Sequence, residues 1–180
     1  MTPSRRGERT PEEDVRAVMD EMPYGLYIIG SRAGGEVNAM MADWVMQVSF
    51  SPRLVAVSFE KDARTLANVR ESGAFTVNLL PQESMEFAAR FAQPYEGSKV
   101  RGRSEAEATK VHDKLADVDY SESDSGCPVL EEAMAWLDCR AEEFVEAGDH
   151  VLVIARVLDG QVTRDAEPLT STYTGWTYSG

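Results

Sequence analysis

The stretch NAMMADWVMQVSFSPRLVAVSFEKDARTLANVR, residues 38–70, decides the predicted fold. Its first half interleaves apolar residues with small and polar ones at strand spacing, which is typical of a strand with two different faces. After Pro52, the run LVAVSF at residues 54–59 is short and almost continuously apolar, as in a strand covered on both sides. Asp62 then opens a predicted helix that carries Leu66 and Val69 and ends at Gly73.

Shorter strands and turns surround this block. The pattern predicts a strand at 24–30, a hairpin turn at Ala33-Gly34-Gly35-Glu36, an extended stretch at 37–50 and a strand at 75–80. A helix at 83–92 follows, and strands at 135–145, 149–158 and 161–163 form a meander with turns at Ala147-Gly148 and Asp159-Gly160. Six or seven strands without regular helix alternation predict a mostly β fold, a closed or nearly closed antiparallel barrel with a few peripheral helices.

The amino-terminal region predicts a separate helical arm. Thr10 is suited to cap a helix, Pro11 fits the first helical position, and Glu13 completes a capping box. One face carries apolar residues at helical spacing, and Pro23 ends the helix: Val15, Val18, Met19 and Met22. We therefore expect an arm at 1–22 and one domain at 23–180. Residues 95–126 are polar and acidic, with one predicted helix near 105–115, and are expected to form an excursion from the core.

The charge of the chain excludes one class of partner. The net charge is −13, which argues against binding nucleic acid through a broad basic surface. The charge is uneven: residues 53–103 carry eight Lys/Arg against six Asp/Glu, whereas residues 104–164 carry five against fifteen. Residues 53–103 are therefore more favourable than residues 104–164 for binding a small anionic ligand.

Composition and the absence of targeting signals predict an intracellular protein. No apolar run reaches the roughly 18 residues of a membrane span, and residues 1–9 do not resemble a secretory signal, so a cytoplasmic location is expected. Cys127 and Cys139 match no metal motif and are expected to be reduced thiols, with a disulfide or redox pair as the alternative. With only two histidines, a multi-histidine metal site is excluded, and no metal is predicted.

Two features of residues 38–70 suit a flat, phosphorylated ligand. The strand around Asp43 to Ser49 presents backbone groups to a ring on one face while its other face packs on a core. Lys61, Arg64 and Thr65 cluster where the next helix begins, and two cations, a hydroxyl and free helix N–H groups suit a phosphate. The alternative is a solvated helix start capped by Asp62. The Gly-rich segment at 30–35 is interpreted as a hairpin turn, because no helix follows it.

An ordered series of short motifs resembles the flavin reductase-like family of FMN-binding split barrels. The series covers roughly residues 22–158: Pro23-Tyr24-Gly25, VNAMMADWVMQVS at 37–49, PRLVAV at 52–57, Arg64-Thr65, SGAFTVNLL at 72–80, Gly126-Cys127-Pro128 and Gly148-Asp149-His150. The resemblance implies a homodimer with one FMN per subunit near the subunit interface, with NADH or NADPH as electron donor.

The same resemblance assigns roles to residues. It places the flavin ring and ribityl chain along 41–49 and the phosphate at the last part of that strand and the next helix start: Met41, Ala42, Asp43, Trp44, Val45, Gln47, Ser49, Lys61, Arg64 and Thr65. It brings Lys99 to the flavin or its phosphate, and His150 to the nicotinamide side as the catalytic residue. Met41 and Asp43 depart from the family pattern, as does the ending Tyr173-Thr174-Gly175-Trp176. An aspartate is repelled by a phosphate, so Asp43 is expected near the ring or facing away.

Three functions are compatible with these residues. The first is an NAD(P)H-dependent FMN oxidoreductase that passes electrons to an acceptor, with an oxygenase as a possible partner. The second is an electron carrier reduced by a redox protein, for which the acidic segment at 104–164 is a candidate docking surface. The third is a split-barrel module that has lost flavin and binds another ligand or only itself.

Overall fold

A computed structural model describes residues 9–92 and 113–176 of the chain. Its strands are β1 (Tyr27–Ala33), β2 (Glu36–Ala42), β3 (Val45–Phe50), β4 (Arg53–Glu60), β5 (Ala74–Leu79), β6 (Tyr120–Glu122), β7 (Pro128–Leu130), β8 (Ala135–Ala147) and β9 (His150–Val162). The helices are α1 (Pro11–Asp20), α2 (Arg64–Ser72), α3 (Met85–Ala89) and α4 (Ser171–Thr174). Within the described residues, seven strands form one antiparallel sheet in the order β2-β1-β5-β8-β9-β4-β3, and β6 pairs with β7. The prediction of a mostly β, antiparallel fold with few helices is confirmed.

The first hairpin forms where the sequence predicts it. Ala33 pairs with Glu36, and Gly34 and Gly35 between them adopt φ values of 55° and 85°. Both values lie in the left-handed region, which glycine enters without steric cost. The paired glycines therefore fix the register of β1 against β2.

The predicted extended stretch at 37–50 is two strands, not one. The chain turns at Asp43-Trp44, where the Val45 N–H donates to the Asp43 carbonyl at 3.0 Å. β2 and β3 on either side of this turn are the two outermost strands of the sheet order. Two strands that are neighbours in the chain thus lie at opposite ends of the hydrogen-bonded series.

The second hairpin, β8–β9, confirms one predicted turn and corrects another. Gly148 forms the turn with φ 63°, but Asp159-Gly160 lies inside β9, which continues to Val162. A Cβ atom at Gly160 would lie 2.7 Å from Leu137 Cδ2 and 2.8 Å from the Trp136 carbonyl oxygen. Glycine is required there because the facing strand approaches closely, next to a register shift between Asp138 and Cys139.

The helices follow their sequence signals only in part. The predicted capping box of α1 is present, with Thr10 and Glu13 bonded to each other's backbone N–H groups. α2 begins at Arg64 with Ala63 as its N-cap and no side-chain cap, so the alternative with Asp62 as cap is wrong. The predicted helix at 83–92 is a 3₁₀ turn, Gln82–Ser84, followed by the short α3. The predicted helix at 105–115 lies largely outside the described residues.

Two groups of buried side chains lie on the two faces of the sheet. The first is centred on Phe59, Phe75 and Val153, and α2 covers it through Leu66 and Val69. The second contains Leu26, Ile28, Leu80, Phe91 and Leu169. Both cysteines are buried free thiols, which confirms that prediction, and burial raises the pKa of Cys139 to about 12.

None of the described helices has the length and apolar character needed to cross a membrane.

Candidate functional site

Three elements meet at one end of β4 and bring the predicted site residues together. The Ser58 N–H donates to the Trp44 carbonyl at 3.0 Å, which places the β2–β3 turn beside β4. Glu60 pairs with His150, the first residue of β9, and the Lys61 N–H donates to the Asp149 carbonyl at 3.1 Å. The β8–β9 turn, the β2–β3 turn and the chain entering α2 are therefore neighbours.

An aromatic pair occupies the centre of this junction. The rings of Trp44 and His150 lie 4.9 Å apart between centroids, with planes tilted by 45°. The His150 side chain is only 12% exposed, and its Nδ1 lies 2.7 Å from an Asp149 carboxylate oxygen. This hydrogen bond lowers the pKa of Asp149 and fixes the orientation of the imidazole ring. The histidine that was predicted as catalytic is thus held in one orientation next to the indole ring of Trp44.

Asp43 supplies a carboxyl group to the same junction. Burial raises the pKa of Asp43, and the nearby His150 lowers it in part. Because burial disfavours the ionised form of Asp43, this side chain repels an electron-rich ring less than an exposed carboxylate does. Asp43 lies near His150 of the aromatic pair, and its role beside the ring of a ligand stays a prediction.

Lys61 lies next to this junction, whereas Arg64 is joined to Glu36 at the opposite end of β2, and each cation has a carboxylate partner. Lys61 Nζ lies 2.8 Å from Glu146, and Arg70, which the sequence analysis did not select, lies 3.5 Å from the same side chain. Arg64 Nη2 donates to Glu36 at 2.6 Å. These pairs are exposed or partly exposed, so they are weak and readily exchanged. A phosphate that binds here replaces Glu36 or Glu146.

Thr65 is placed differently from its prediction. It is 1% exposed, and its hydroxyl oxygen accepts a hydrogen bond from Asn38 Nδ2 at 3.0 Å. The side chain therefore joins α2 to β2 instead of facing the surface beside Arg64. The position predicted for a ligand hydroxyl is used for packing within the chain.

Ser49 is separated from the cations within one chain. It pairs with Leu54 at the far end of β4, next to a bulge after Gln47. Lys61 is seven residues beyond Leu54, which corresponds to about 23 Å along a strand. Ser49 and Lys61 therefore do not form a single phosphate site in one subunit. Gln47 lies at the Ser49 end, where its Nε2 donates to the Ser49 carbonyl at 3.2 Å.

The remaining predicted residues follow the strand between these ends. Ala42 is buried, whereas Met41 and Val45 are half-buried on either side of the turn. The Met41 N–H donates to the Phe91 carbonyl at 3.1 Å, and the same carbonyl accepts from the buried Lys114 Nζ at 3.1 Å. Burial lowers the pKa of Lys114 to about 8. Lys99 lies outside the described residues, so its predicted role stays a prediction.

Several polar contacts were not found by sequence reasoning. Asp149 directly precedes His150 in a predicted turn, so its hydrogen bond with the imidazole could have been predicted from the sequence. Glu36, Glu146 and Asn38 pair with residues far along the chain, and no local pattern indicates such partners. Among residues 9–92 and 113–176, no three His, Cys, Asp or Glu side chains are placed to hold a metal ion.

Comparison with known proteins identifies the family to which this arrangement belongs. The family model described as "Flavin reductase like domain" matches residues 19–177. The chain belongs to the flavin reductase-like family. The resemblance noted in the sequence motifs is thereby confirmed over most of the chain.

Relatives with related names share this domain. The chain is 34% identical to the "Ferric-chelate reductase (NAD(P)H)" of Archaeoglobus fulgidus over 152 residues, 83% of this chain and 82% of that protein. It is similar in structure to an "NADH:FAD oxidoreductase SgcE6" of Streptomyces globisporus, solved with NAD and FAD fragments, with a TM-score of 0.73, 25% identity and 92% coverage of each chain. A nitrilotriacetate monooxygenase component B from Mycobacterium thermoresistibile gives a TM-score of 0.73 at 26% identity, over 88% of this chain and 81% of that one.

Other relatives are much longer than the part that matches. The chain spans 25% of "Putative diflavin flavoprotein A 6" of Nostoc sp., with 28% identity, and 42% of a "Probable flavin reductase" of Rhizobium meliloti, with 29% identity. In such proteins the shared domain is one part of a larger chain.

Proposed function

We propose that this protein is an NAD(P)H-dependent oxidoreductase that carries electrons through bound FMN to an acceptor. The observation that supports it most is the contact between Trp44 and His150 beside Asp43, adjacent to Lys61 in the turn before α2. An aromatic surface, a fixed imidazole and nearby cations are the features that a flavin ring, a nicotinamide and a phosphate require. The relative of Archaeoglobus fulgidus carries NAD(P)H in its name.

The residues fit an FMN in its charged and in its flat parts. Lys61 and Arg64 lie at the start of α2 and in the turn before it, Arg70 lies in the last turn of the same helix, and their exposed carboxylate partners are exchangeable for a phosphate. For the ring, we propose Met41, Ala42, Asp43, Trp44 and Val45, because they form the turn that faces His150 and β4. Gln47 and Ser49 extend this surface along the sheet edge. Flavin supplies the capacity to accept and release electrons, and the protein supplies binding and orientation.

His150 orients the nicotinamide in this proposal. Its Nδ1 is engaged by Asp149 at 2.7 Å, so the other ring nitrogen is the one that can contact a ligand. Because the Trp44 ring contacts the imidazole and only 12% of the His150 side chain is exposed, a nicotinamide in this proposal contacts His150 beside the indole ring.

Closure of the sheet into a barrel and association into a homodimer belong to the same proposal. The outermost strands β2 and β3 are joined directly by Asp43-Trp44, and this turn is bonded to β4 through Ser58. Such an arrangement favours a sheet that curves back on itself. Exposed apolar side chains on β3, including Met46, Val48 and Phe50, favour a second subunit on that edge.

Two measurements on the purified protein test the proposal. An absorbance spectrum shows whether flavin is present, and anaerobic stopped-flow mixing with NADH or NADPH shows whether the bound flavin bleaches. We expect His150→Ala to slow bleaching while FMN affinity is nearly unchanged. Val145→Ala, on the exposed part of the same hairpin, is the matched control. A colourless protein that FMN does not stabilise against heat would support a module without flavin instead.

A second candidate is an electron carrier that a protein partner reduces. The match to a quarter of a diflavin flavoprotein favours it, because there the related domain is part of a longer chain. Residues 104–164 carry five Lys/Arg against fifteen Asp/Glu, which suits a basic docking partner. Slow bleaching by both nicotinamides, together with salt-dependent reduction by a redox protein, would favour the carrier. Delivery of reduced flavin to an oxygenase would instead require fast bleaching by a nicotinamide.

A further inference from the structure

Helix α1 presents an apolar stripe to solvent. Val15, Val18, Met19 and Met22 follow the spacing i, i+3, i+4, i+7 and lie on one face of the helix. Val15 is 64% exposed and Val18 is 67% exposed, and no residue of α1 is buried. A stripe of this kind indicates a helix whose packing surface is not supplied by the described part of its own chain.

The same helix carries strong local start signals. The capping box of Thr10 and Glu13, Pro11 at the first position and the acidic first turn all favour helix formation. A helix of ten residues is nevertheless marginal in water without tertiary contacts. The stripe therefore needs a covering surface if α1 is to contribute to a stable fold.

A groove of about 780 Å³ on the body of the protein is a matching surface. It lies between the β3–β4 turn and the last part of β9, and its lining includes Leu79, Trp136 and Val157. Phe50, Leu158 and Val162 stand at its margins and are all exposed, Val162 at 71%. β4 pairs with β9 only as far as Arg156. Beyond that residue, β9 forms one side of the groove through residues 157–162, and within the described residues no strand pairs with it on the β4 side.

Length and charge both suit α1 as the occupant. Ten helical residues span about 15 Å, and the six residues at 157–162 of β9 span about 20 Å. The first turn of α1 carries Glu12, Glu13 and Asp14. Arg53 and Arg156 line the groove and are exposed, and Arg156 also forms an ion pair with Glu142 at 2.5 Å. An acidic helix end is attracted to a groove that has arginines at its margin.

Among the described residues, α1 does not occupy the groove of its own subunit, because none of its residues lines the groove and none is buried. The Tyr24 N–H donates to the Ser171 hydroxyl oxygen, the Ser171 N–H donates to the Tyr24 carbonyl, and the Leu26 N–H donates to the Leu169 carbonyl at 3.0 Å. Only residues 21–23 remain between this fixed segment and the end of α1. We propose that α1 docks by its apolar stripe into the groove between the β3–β4 turn and β9 of a second copy of the chain, and that the two copies exchange their helices symmetrically. This inference does not depend on flavin binding.

Engineered cysteines distinguish this arrangement from its alternatives. The native thiols are buried, so Val18→Cys and Val162→Cys add the reactive ones, both at exposed positions. When the two single variants are mixed under mild oxidation, we expect a disulfide-linked heterodimer. Arg16→Cys, on the polar face of α1, is the matched control and should cross-link to Val162→Cys at least tenfold less. In the Val18→Cys/Val162→Cys double variant, an intrachain bond in a monomer would overturn the proposal.

Sedimentation of the full chain gives a second, independent measurement. Val18→Asp should weaken self-association at least tenfold, because it places a charge in an apolar groove, and the fold should be retained because Val18 is exposed. Arg16→Asp is the control for added negative charge on α1. A wild-type chain that is monomeric at tens of micromolar, or a dimer that Val18→Asp leaves unchanged, would overturn the proposal.

Discussion

Arg64 offers the most direct test of where a ligand phosphate binds. It is the first residue of α2, and its Nη2 donates to Glu36 at 2.6 Å with 29% of the side chain exposed. Arg64→Ala removes the guanidinium and leaves a residue that favours helix, so the fold should be retained. If the guanidinium binds phosphate when FMN is present, its loss removes one charge-assisted hydrogen bond.

The expected magnitude follows from two opposing contributions. A hydrogen bond to a charged group contributes about 1.5–3 kcal/mol, whereas the exchanged pair with Glu36 contributes about 0–1 kcal/mol. Arg64→Ala should therefore weaken FMN binding by about 0.5–3 kcal/mol, or roughly 2- to 150-fold in Kd. Glu36→Gln removes the competing carboxylate and keeps the side-chain shape. It should tighten FMN binding by up to about fivefold.

Quenching of FMN fluorescence on titration measures both dissociation constants. The difference between wild type and Arg64→Ala should shrink when the ionic strength is raised to about 0.5 M, because exposed charges are screened. An unchanged Kd for Arg64→Ala would remove Arg64 from the site. A weaker Kd for Glu36→Gln would show that the ion pair organises the site, contrary to the competition described above.

Three further changes test the electrostatics and the core. Asp43→Asn should raise the melting temperature at neutral pH, because burial raises the pKa of Asp43 in the folded state; the gain should vanish as the pH falls below the unfolded value of about 3.8, and a pH-independent gain would contradict this cause. Lys114→Met should stabilise the protein below pH 8, because burial lowers the pKa of Lys114 to about 8 in the folded state. The gain is at most about 3 kcal/mol, minus the contribution of the lost hydrogen bond to the Phe91 carbonyl. Thermal melts at several pH values should show the gain declining between pH 8 and 10.5. Asn78→Ala should destabilise by about 2–4 kcal/mol in urea titrations, because it leaves the buried Leu130 N–H and the Ile28 carbonyl without their side-chain partner; a loss under 1 kcal/mol would refute that role.

Local chemistry explains what the sequence could predict about the fold. The capping box of Thr10 and Glu13 and the paired glycines at 34–35 act within a few residues, and both formed as expected. Asp159-Gly160 has the composition of a turn, yet Gly160 serves a close approach to Leu137 and Trp136. Glycine is favoured both in turns and where two strands approach closely, so its presence alone does not distinguish the two cases. The facing strand, which the local sequence does not show, determines which one applies.

The site was predictable in its residues more than in its geometry. Motif order led to His150 and Trp44, and the structure brings these two rings together. The grouping of Ser49 with Lys61 failed within one chain, because their separation depends on which end of β4 each one faces. The inward position of Thr65 depends on Asn38, 27 residues earlier. Such distances are set by strand register, which sequence spacing alone does not contain.

The two outermost strands of the sheet are consecutive in the chain, and this has a consequence for how function is lost. Trp44 reaches His150 through the adjacent strands β3, β4 and β9, whereas Met41 and Ala42 of the proposed ring surface belong to β2 at the opposite end of the order. A partly unfolded chain that has lost either outermost strand would therefore keep only part of this surface. Activity should disappear along the same denaturation curve as the sheet itself, which makes ligand reduction a reporter of global folding.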